Sequence, residues 1–248
     1  MALLPVSRYR PTAVKTLRCC VLMLVLLLPV PPAMAWQAGA DQAVMTDGFL
    51  AAHPGLRWRA EGARAYERKD YPAALALFKR AAYHADKPSQ AIIADMYWRG
   101  TGVAQDRAIA YAWMDIAAER LYPDFLAQRE VYWARLDEGQ RTDAIARGEA
   151  ILAEYGDEAA KPRLERILRQ GARAMTGSRV GHVGNLEIIP YTGPLAGTGM
   201  TIRGDQYYDR KYWQPELYWR LQDAVWEAPR KGRVDVGDVE PLKAGEGE

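Results

Sequence analysis

The stretch Ala94-Asp95-Met96-Tyr97-Trp98-Arg99-Gly100-Thr101-Gly102-Val103-Ala104-Gln105-Asp106 decides the fold. Before it, Ser89 to Arg99 reads as a helix. After it, Arg107 to Arg120 reads as a second helix, with Ile109, Ala112, Trp113, Ile116 and Ala117 on one face at helical spacing and no strand alternation. Between them, Gly100-Thr101-Gly102-Val103 places glycines where the chain must turn back through positive φ, with Val103 available to plug the turn. The pattern predicts a helical hairpin.

This hairpin has a counterpart on each side. Asp70, Ala74, Ala81 and Ala82 stand 36 residues before Asp106, Ala110, Ala117 and Ala118, with Phe78 near the register of Trp113. A third copy begins at Tyr132, 35 residues after Tyr97; it keeps Trp133 and then Asp137-Glu138-Gly139-Gln140, an N-cap with Gln three residues on, opening a helix to Glu154. Small alanines at a fixed period let neighbouring helices approach, as in helix-turn-helix units stacked into a solenoid. Asp157 to Ala174 reads as one more amphipathic helix. Leu164, Ile167, Leu168 and Ala172 mark its apolar face, and Lys161, Arg163, Arg166, Arg169 and Arg173, interleaved with Glu158 and Glu165, its solvated one.

Through Tyr97, Gly100, Gly102, Val103, Asp106, Ala110, Trp113 and Ala117-Ala118, the central unit resembles a Sel-one-like repeat, the bacterial relative of the tetratricopeptide repeat. It departs from that pattern at Ile93-Ala94 for Leu-Gly, Ile109 for Lys and Leu121 for the closing Gly, and Ile109 and Leu121 suggest a surface covered by more than water. The preceding unit is closer to a tetratricopeptide unit through Tyr66, Asp70-Tyr71, Ala74, Phe78 and Ala81, without the Gly-x-Gly turn. The resemblance spans about Gly55 to Tyr155. It implies an all-α fold, a short right-handed α-solenoid in which Tyr97, Gly100, Gly102, Asp106, Trp113 and Ala117 are structural repeat positions. It also implies a non-enzymatic role as an adaptor for protein partners.

The flanks differ in character. Residues 1–35 hold Arg8, Arg10, Lys15 and Arg18, then an apolar run from Cys19 to Leu28, then Pro29, Pro31, Pro32 and Ala33-Met34-Ala35. That is the layout of a secretory signal peptide cleaved after Ala35, and its apolar run of ten residues is too short to span a bilayer at ~1.5 Å per residue. The expected location is the periplasm, with secretion beyond it as an alternative. Of the chain's 33 basic and 31 acidic residues, removal of the signal leaves 29 and 31 and takes away both cysteines. A near-neutral mature chain offers no phosphate-neutralising surface, so nucleic acid is not an expected partner. A cysteine-free chain has no thiolate chemistry.

The expected layout continues with a lead-in at 36–54, helical repeats at 55–175 and a Gly-rich loop with a small hairpin at 176–204. An aromatic docking helix segment at 205–228 and a tail at 229–248 complete it. Tyr207, Tyr208, Tyr212, Trp213, Tyr218, Trp219 and Trp226 put seven aromatics into 20 residues, with Pro215 placed to open a helix through Glu227. Aromatic faces grip peptide anchors or stack on sugar rings, and they also pack as core. Tyr207, Tyr208, Trp213 and Trp219, together with Trp98 and Trp133 on first-helix faces, are therefore the candidate partner-binding residues. The expected partner is a protein or peptide; the alternatives are a cell-wall glycan binding module or weak hydrolase that uses the C-terminal aromatics, and a secreted effector.

Little supports catalysis or cofactors. The mature chain has two serines, Ser89 and Ser178, and Ser178 with His182 lies in a Gly-rich loop unlike a nucleophile elbow. His53, His84 and His182 are the three histidines, separated by 31 and 98 residues without a metal-binding motif. No catalytic residue, metal or cofactor is expected.

Overall fold

Aspartates set where the helices begin. Asp70, Asp86, Asp106 and Asp137 accept the backbone N–H of Ala73, Ser89, Ile109 and Gln140, respectively. Each satisfies a helix-start donor that would otherwise lack a partner, a contribution of about 1 kcal/mol. At Asp137 the expected capping box is complete, with the Gln140 side chain accepting from the Asp137 N–H at 3.1 Å.

A computed structural model describes residues 41–174, 186–190, 197–199 and 201–227. Among the described residues the fold is all-α apart from one short β pair. The expected export signal with its expected cleavage after Ala35, Ser178, His182 and the expected tail at 229–248 lie outside the described residues.

The helices are α1 (Asp47–Ala52), α2 (Pro54–Glu67), α3 (Tyr71–Ala82), α4 (Lys87–Arg99), α5 (Arg107–Ala117), α6 (Pro123–Ala134), α7 (Glu138–Tyr155) and α8 (Asp157–Ala174). Helix α2 packs on α3, α3 on α4, α4 on α5, and α5 on both α6 and α7. The 36-residue spacing recurs in the backbone. Helices α3 and α5 begin at Tyr71 and Arg107, and α4 and α6 at Lys87 and Pro123. The turns that precede α4 and α6 pass through the left-handed region at Ala85 (φ 60°) and Leu121 (φ 57°), again 36 residues apart. Ala74, Ala110, Ala81, Ala117, Ala82 and Ala118 are all fully buried, and Ala74, Ala82, Ala110 and Ala117 share one core with Phe78, Ile93, Met96, Trp113 and Tyr132.

The predicted tight turn forms as expected. Gly100 caps α4 with φ 72°, and Gly102 has φ 73°. A Cβ at Gly102 would lie 2.3 Å from the Tyr71 Cβ, so both the positive φ and the close approach to the preceding unit require glycine. Helix α4 starts two residues earlier than predicted because Asp86 is its cap. Helix α5 stops at Ala117 and tightens into a 3₁₀ turn, Ala118–Arg120.

The C-terminal segment is three helices where one docking helix was expected: α9 (Gly204–Tyr207), α10 (Arg210–Trp213) and α11 (Pro215–Glu227). Asp209 caps α10 on the Lys211 N–H, and Pro215 restarts the chain as α11. The small hairpin is present as β1 (Glu187–Ile188) paired antiparallel with β2 (Ile202–Arg203).

Within the expected lead-in, α1 is packed against the C-terminal helices. Phe49 on α1 is fully buried, with His53 stacked on it at 3.8 Å and the rings of Tyr207, Tyr212 and Trp213 edge-on to it at 5.3 to 5.9 Å. His53 contacts the carbonyl oxygens of Phe49 and Tyr212 at 2.8 and 2.9 Å, tying α1 to α10. Burial holds its pKa below the usual 6.5 against those two carbonyls, which pull the other way.

Candidate binding groove

The charged side chains at the centre of the molecule are matched in sign. Arg59, on α2, meets Asp86 at 2.9 Å with both side chains buried. Lys87, 1% exposed, donates to the Ile116 carbonyl and to Glu119 at 2.7 Å and meets Asp157 at 3.0 Å. Arg120 forks onto both oxygens of Asp157 at 2.7 and 2.8 Å and lies 4.6 Å over the Trp219 ring. From α11, Asp223 accepts the Tyr122 hydroxyl at 2.6 Å. From α8, Glu165 accepts the Trp219 Nε1–H at 3.0 Å.

Burial lowers the Lys87 pKa, with Arg120 adding to that effect and Asp157 and Glu119 opposing it. For Asp157, burial alone would raise the pKa, but the Arg120 bonds and charge, with Lys87 and Lys161, hold it well below the carboxylate range. The cavity beside this network, lined by His84, Asp86, Lys87, Arg120, Tyr218 and Trp219 among others, measures about 10 Å³. That is room for about one water and not for a ligand. The network is a clasp that joins α2, α4, α8 and α11 to the turn before α6.

Most of the predicted C-terminal binding residues belong to the interior. Tyr207 and Trp213 are buried against Phe49, and Trp213 donates to the Tyr207 carbonyl at 2.9 Å. Gly171 of α8 admits the Trp213 ring, which would meet a Cβ there at 2.8 Å. Trp219, 9% exposed, packs with Leu164, Leu168 and Tyr218. Tyr208 is half-buried against Tyr207 and Trp213. These faces are therefore used in packing, the alternative that the sequence left open.

Trp98 and Trp133 are half-buried and serve to join the units. Trp98 stacks on Tyr132 with ring centroids 4.0 Å apart, and Trp133 lies against Tyr111 at 4.8 Å. Arg107 and Arg141 cover their other faces at 5.2 and 5.0 Å. The residues expected to be repeat positions make local contacts. Tyr97 accepts from Lys79 at 3.2 Å, Asp106 caps α5 and pairs with Arg147, and Trp113 and Ala117 are buried.

The surface with room for a ligand is one the sequence did not single out. Trp58 of α2, Lys79 and Arg80 of α3, Tyr83 and His84 just beyond α3, and Tyr155 at the end of α7 line an open groove of about 250 Å³. That is slightly below the usual range for small-ligand pockets and suits a few side chains. Arg80 lies 5.0 Å over the Trp58 ring, and Arg57 lies 4.7 Å over it. Arg163 of α8 sits 3.8 Å over Tyr83, a ring 40% exposed, and donates to the carbonyls of Tyr83 and Glu154.

Burial lowers the His84 pKa, and the charge of Arg163 lowers it further against Asp86, so the ring is neutral at pH 7. Its Nδ1 is buried without a hydrogen-bond partner among the described residues. Tyr155 is pushed up to about 12 by burial and by Glu154, and remains a phenol donor. The missed signal was the alternation of cations with aromatics at Arg57-Trp58-Arg59 and Lys79-Arg80-Ala81-Ala82-Tyr83-His84.

Among the described residues no group of three His, Cys, Asp or Glu is placed to hold a metal ion. None of their helices is long and apolar enough to cross a membrane. Comparison with family models, with curated proteins and with solved structures returns no match.

Proposed function

We propose that the chain is an exported, periplasmic binding scaffold. It is a short right-handed stack of Sel-one-like, tetratricopeptide-related helical hairpins that holds a protein partner in the groove of Trp58, Lys79, Arg80, Tyr83, His84 and Tyr155, and catalyses no reaction. The 36-residue recurrence of helix starts, buried alanines and left-handed turns supports the repeat assignment. The observation that carries the function is the groove itself, a concave surface where aromatic rings remain partly accessible and cations line the rim. A cell-wall glycan site built on Tyr207, Trp213 and Trp219 has less support, because these rings pack in the interior.

A photo-crosslinking residue at Tyr83 or at Val131, which is equally exposed but on α6, tests the proposal in cells exporting the protein. Position 83 should give a discrete protein adduct that Trp58→Ala removes, and position 131 should not. Equal adducts from both positions, or sedimentation of the protein with cell-wall sacculi and no adduct at 83, would overturn it.

A further inference from the structure

We infer that the groove selects an acidic peptide segment, so that the partner is recognised through Asp or Glu side chains; this rests on the scaffold function proposed above. The charges around the groove favour it. Elsewhere most buried or half-buried cations are neutralised by carboxylates, as with Lys87, Arg120, Arg59 and Arg147. Lys79, Arg80 and Arg163 have no carboxylate partner within ion-pair distance among the described residues; Lys79 and Arg80 line the groove, and Arg163 lies over the ring of the groove residue Tyr83.

Their remaining contacts leave them ready for an anion. Lys79 donates to the Tyr97 hydroxyl and lies 5.6 Å over that ring. Arg80, an exposed side chain, and Arg163 each lie over an aromatic ring, a contact that narrows the positions open to the guanidinium while its N–H groups can still donate. A planar guanidinium held in this way is suited to a bidentate carboxylate. Trp58 and Tyr83 give the aliphatic stem of a Glu or a neighbouring apolar residue a surface to cover. The neutral His84 adds no charge. The negative charges near the groove are engaged: Glu154 accepts from Tyr155, Asp86 is paired with Arg59 and Glu61 with Arg57, the last two at 2.9 Å. Phosphate-bearing polymers are less suited: the site is small, and the mature chain is slightly acidic overall.

The test uses the mature protein and a fluorescein-labelled peptide of alternating Glu and Leu, with an alternating Lys and Leu peptide as control, read by anisotropy. The acidic peptide should bind, the basic one should not, and affinity should fall at least tenfold between about 20 mM and about 500 mM salt. Lys79→Glu with Arg80→Glu should abolish binding while leaving the helical circular dichroism unchanged; Lys79→Gln with Arg80→Gln should weaken it less and serves if the first variant does not fold. Equal binding of both peptides, no binding of either, or binding indifferent to these substitutions would overturn the inference. Preferential binding of anionic sacculi over the peptide would do the same. The scaffold function fails separately. If the adduct at position 83 persists in the Lys79→Glu, Arg80→Glu protein, the scaffold stands and acidic selection falls. If acidic peptide binding needs Lys79 and Arg80 but no adduct forms in cells, the groove chemistry stands and the scaffold falls.

Discussion

Replacing Arg120 by alanine removes the side chain through which the clasp acts. Arg120 is 8% and Asp157 15% exposed, and the variant loses two short hydrogen bonds to Asp157, a contact to the Ala85 carbonyl at 3.3 Å and the stacking on Trp219. Truncating one member of a buried ion pair costs about 3 to 5 kcal/mol, mostly because the other charge is left buried without compensation. Here Lys87 and Lys161 stay with Asp157 at 3.0 and 3.1 Å, so the lower end applies, about 3 kcal/mol. With a urea dependence of about 2 to 3 kcal/mol per molar, the midpoint should fall by about 1 M. Circular dichroism follows helix loss, and tryptophan emission follows exposure of Trp219 as α11 loosens. A double-mutant cycle with Asp157→Ala should give a coupling energy well above that of the exposed Arg99–Asp95 pair, which is worth about 0.3 to 0.5 kcal/mol. A midpoint shift below about 0.3 M, or a coupling equal to that of the exposed pair, would refute the clasp.

Other substitutions test the turns and the titrating core. Gly102→Ala forces a Cβ to within 2.3 Å of Tyr71 at a φ of 73°, and should lower stability by about 2 kcal/mol, read as a fall in Tm. Leu121→Gly relieves a left-handed leucine that is 68% exposed, and should raise stability by about 1 kcal/mol in the same assay. Because the folded pKa of His53 lies below its unfolded value of 6.5, the unfolded chain binds the proton first as pH falls. Stability should therefore be lost below pH 6.5, by up to about 1.4 kcal/mol per pH unit for one group, and His53→Gln should flatten that slope in a Tm series.

The local features were legible because each is set by short-range chemistry. Asp70, Asp106 and Asp137 are followed by helical periodicity, the glycines of 100–102 permit one kind of turn, and alanines 36 residues apart mark close helix approach. What was not legible depends on distant partners. Nothing local in Thr46 to His53 says that Phe49 will be enclosed by Tyr212 and Trp213, so the sequence favoured packing for the C-terminal aromatics without naming what they pack on. Lys87 and Arg120 look like ordinary surface charges until Asp157 arrives from α8. The groove escaped notice for the same reason. Trp58, Arg80 and Tyr155 come from α2, α3 and α7, so the cation–aromatic runs at 57–59 and 79–84 join Tyr155 in one surface only in the fold. The exposed Leu121 did stand out beforehand as an apolar residue where the repeat pattern it was compared with has glycine, and its φ of 57° is one that glycine adopts more readily.

The most direct test of the account is isothermal titration of the partner captured at position 83 into mature wild-type protein and into Trp58→Ala. Removing an aromatic anchor from the middle of a binding groove costs about 2 kcal/mol, so the predicted result is a Kd weakened roughly 30-fold, with unchanged stoichiometry and helicity. An affinity unchanged within about twofold, a difference below about 0.4 kcal/mol, would contradict the claim that this groove holds the partner.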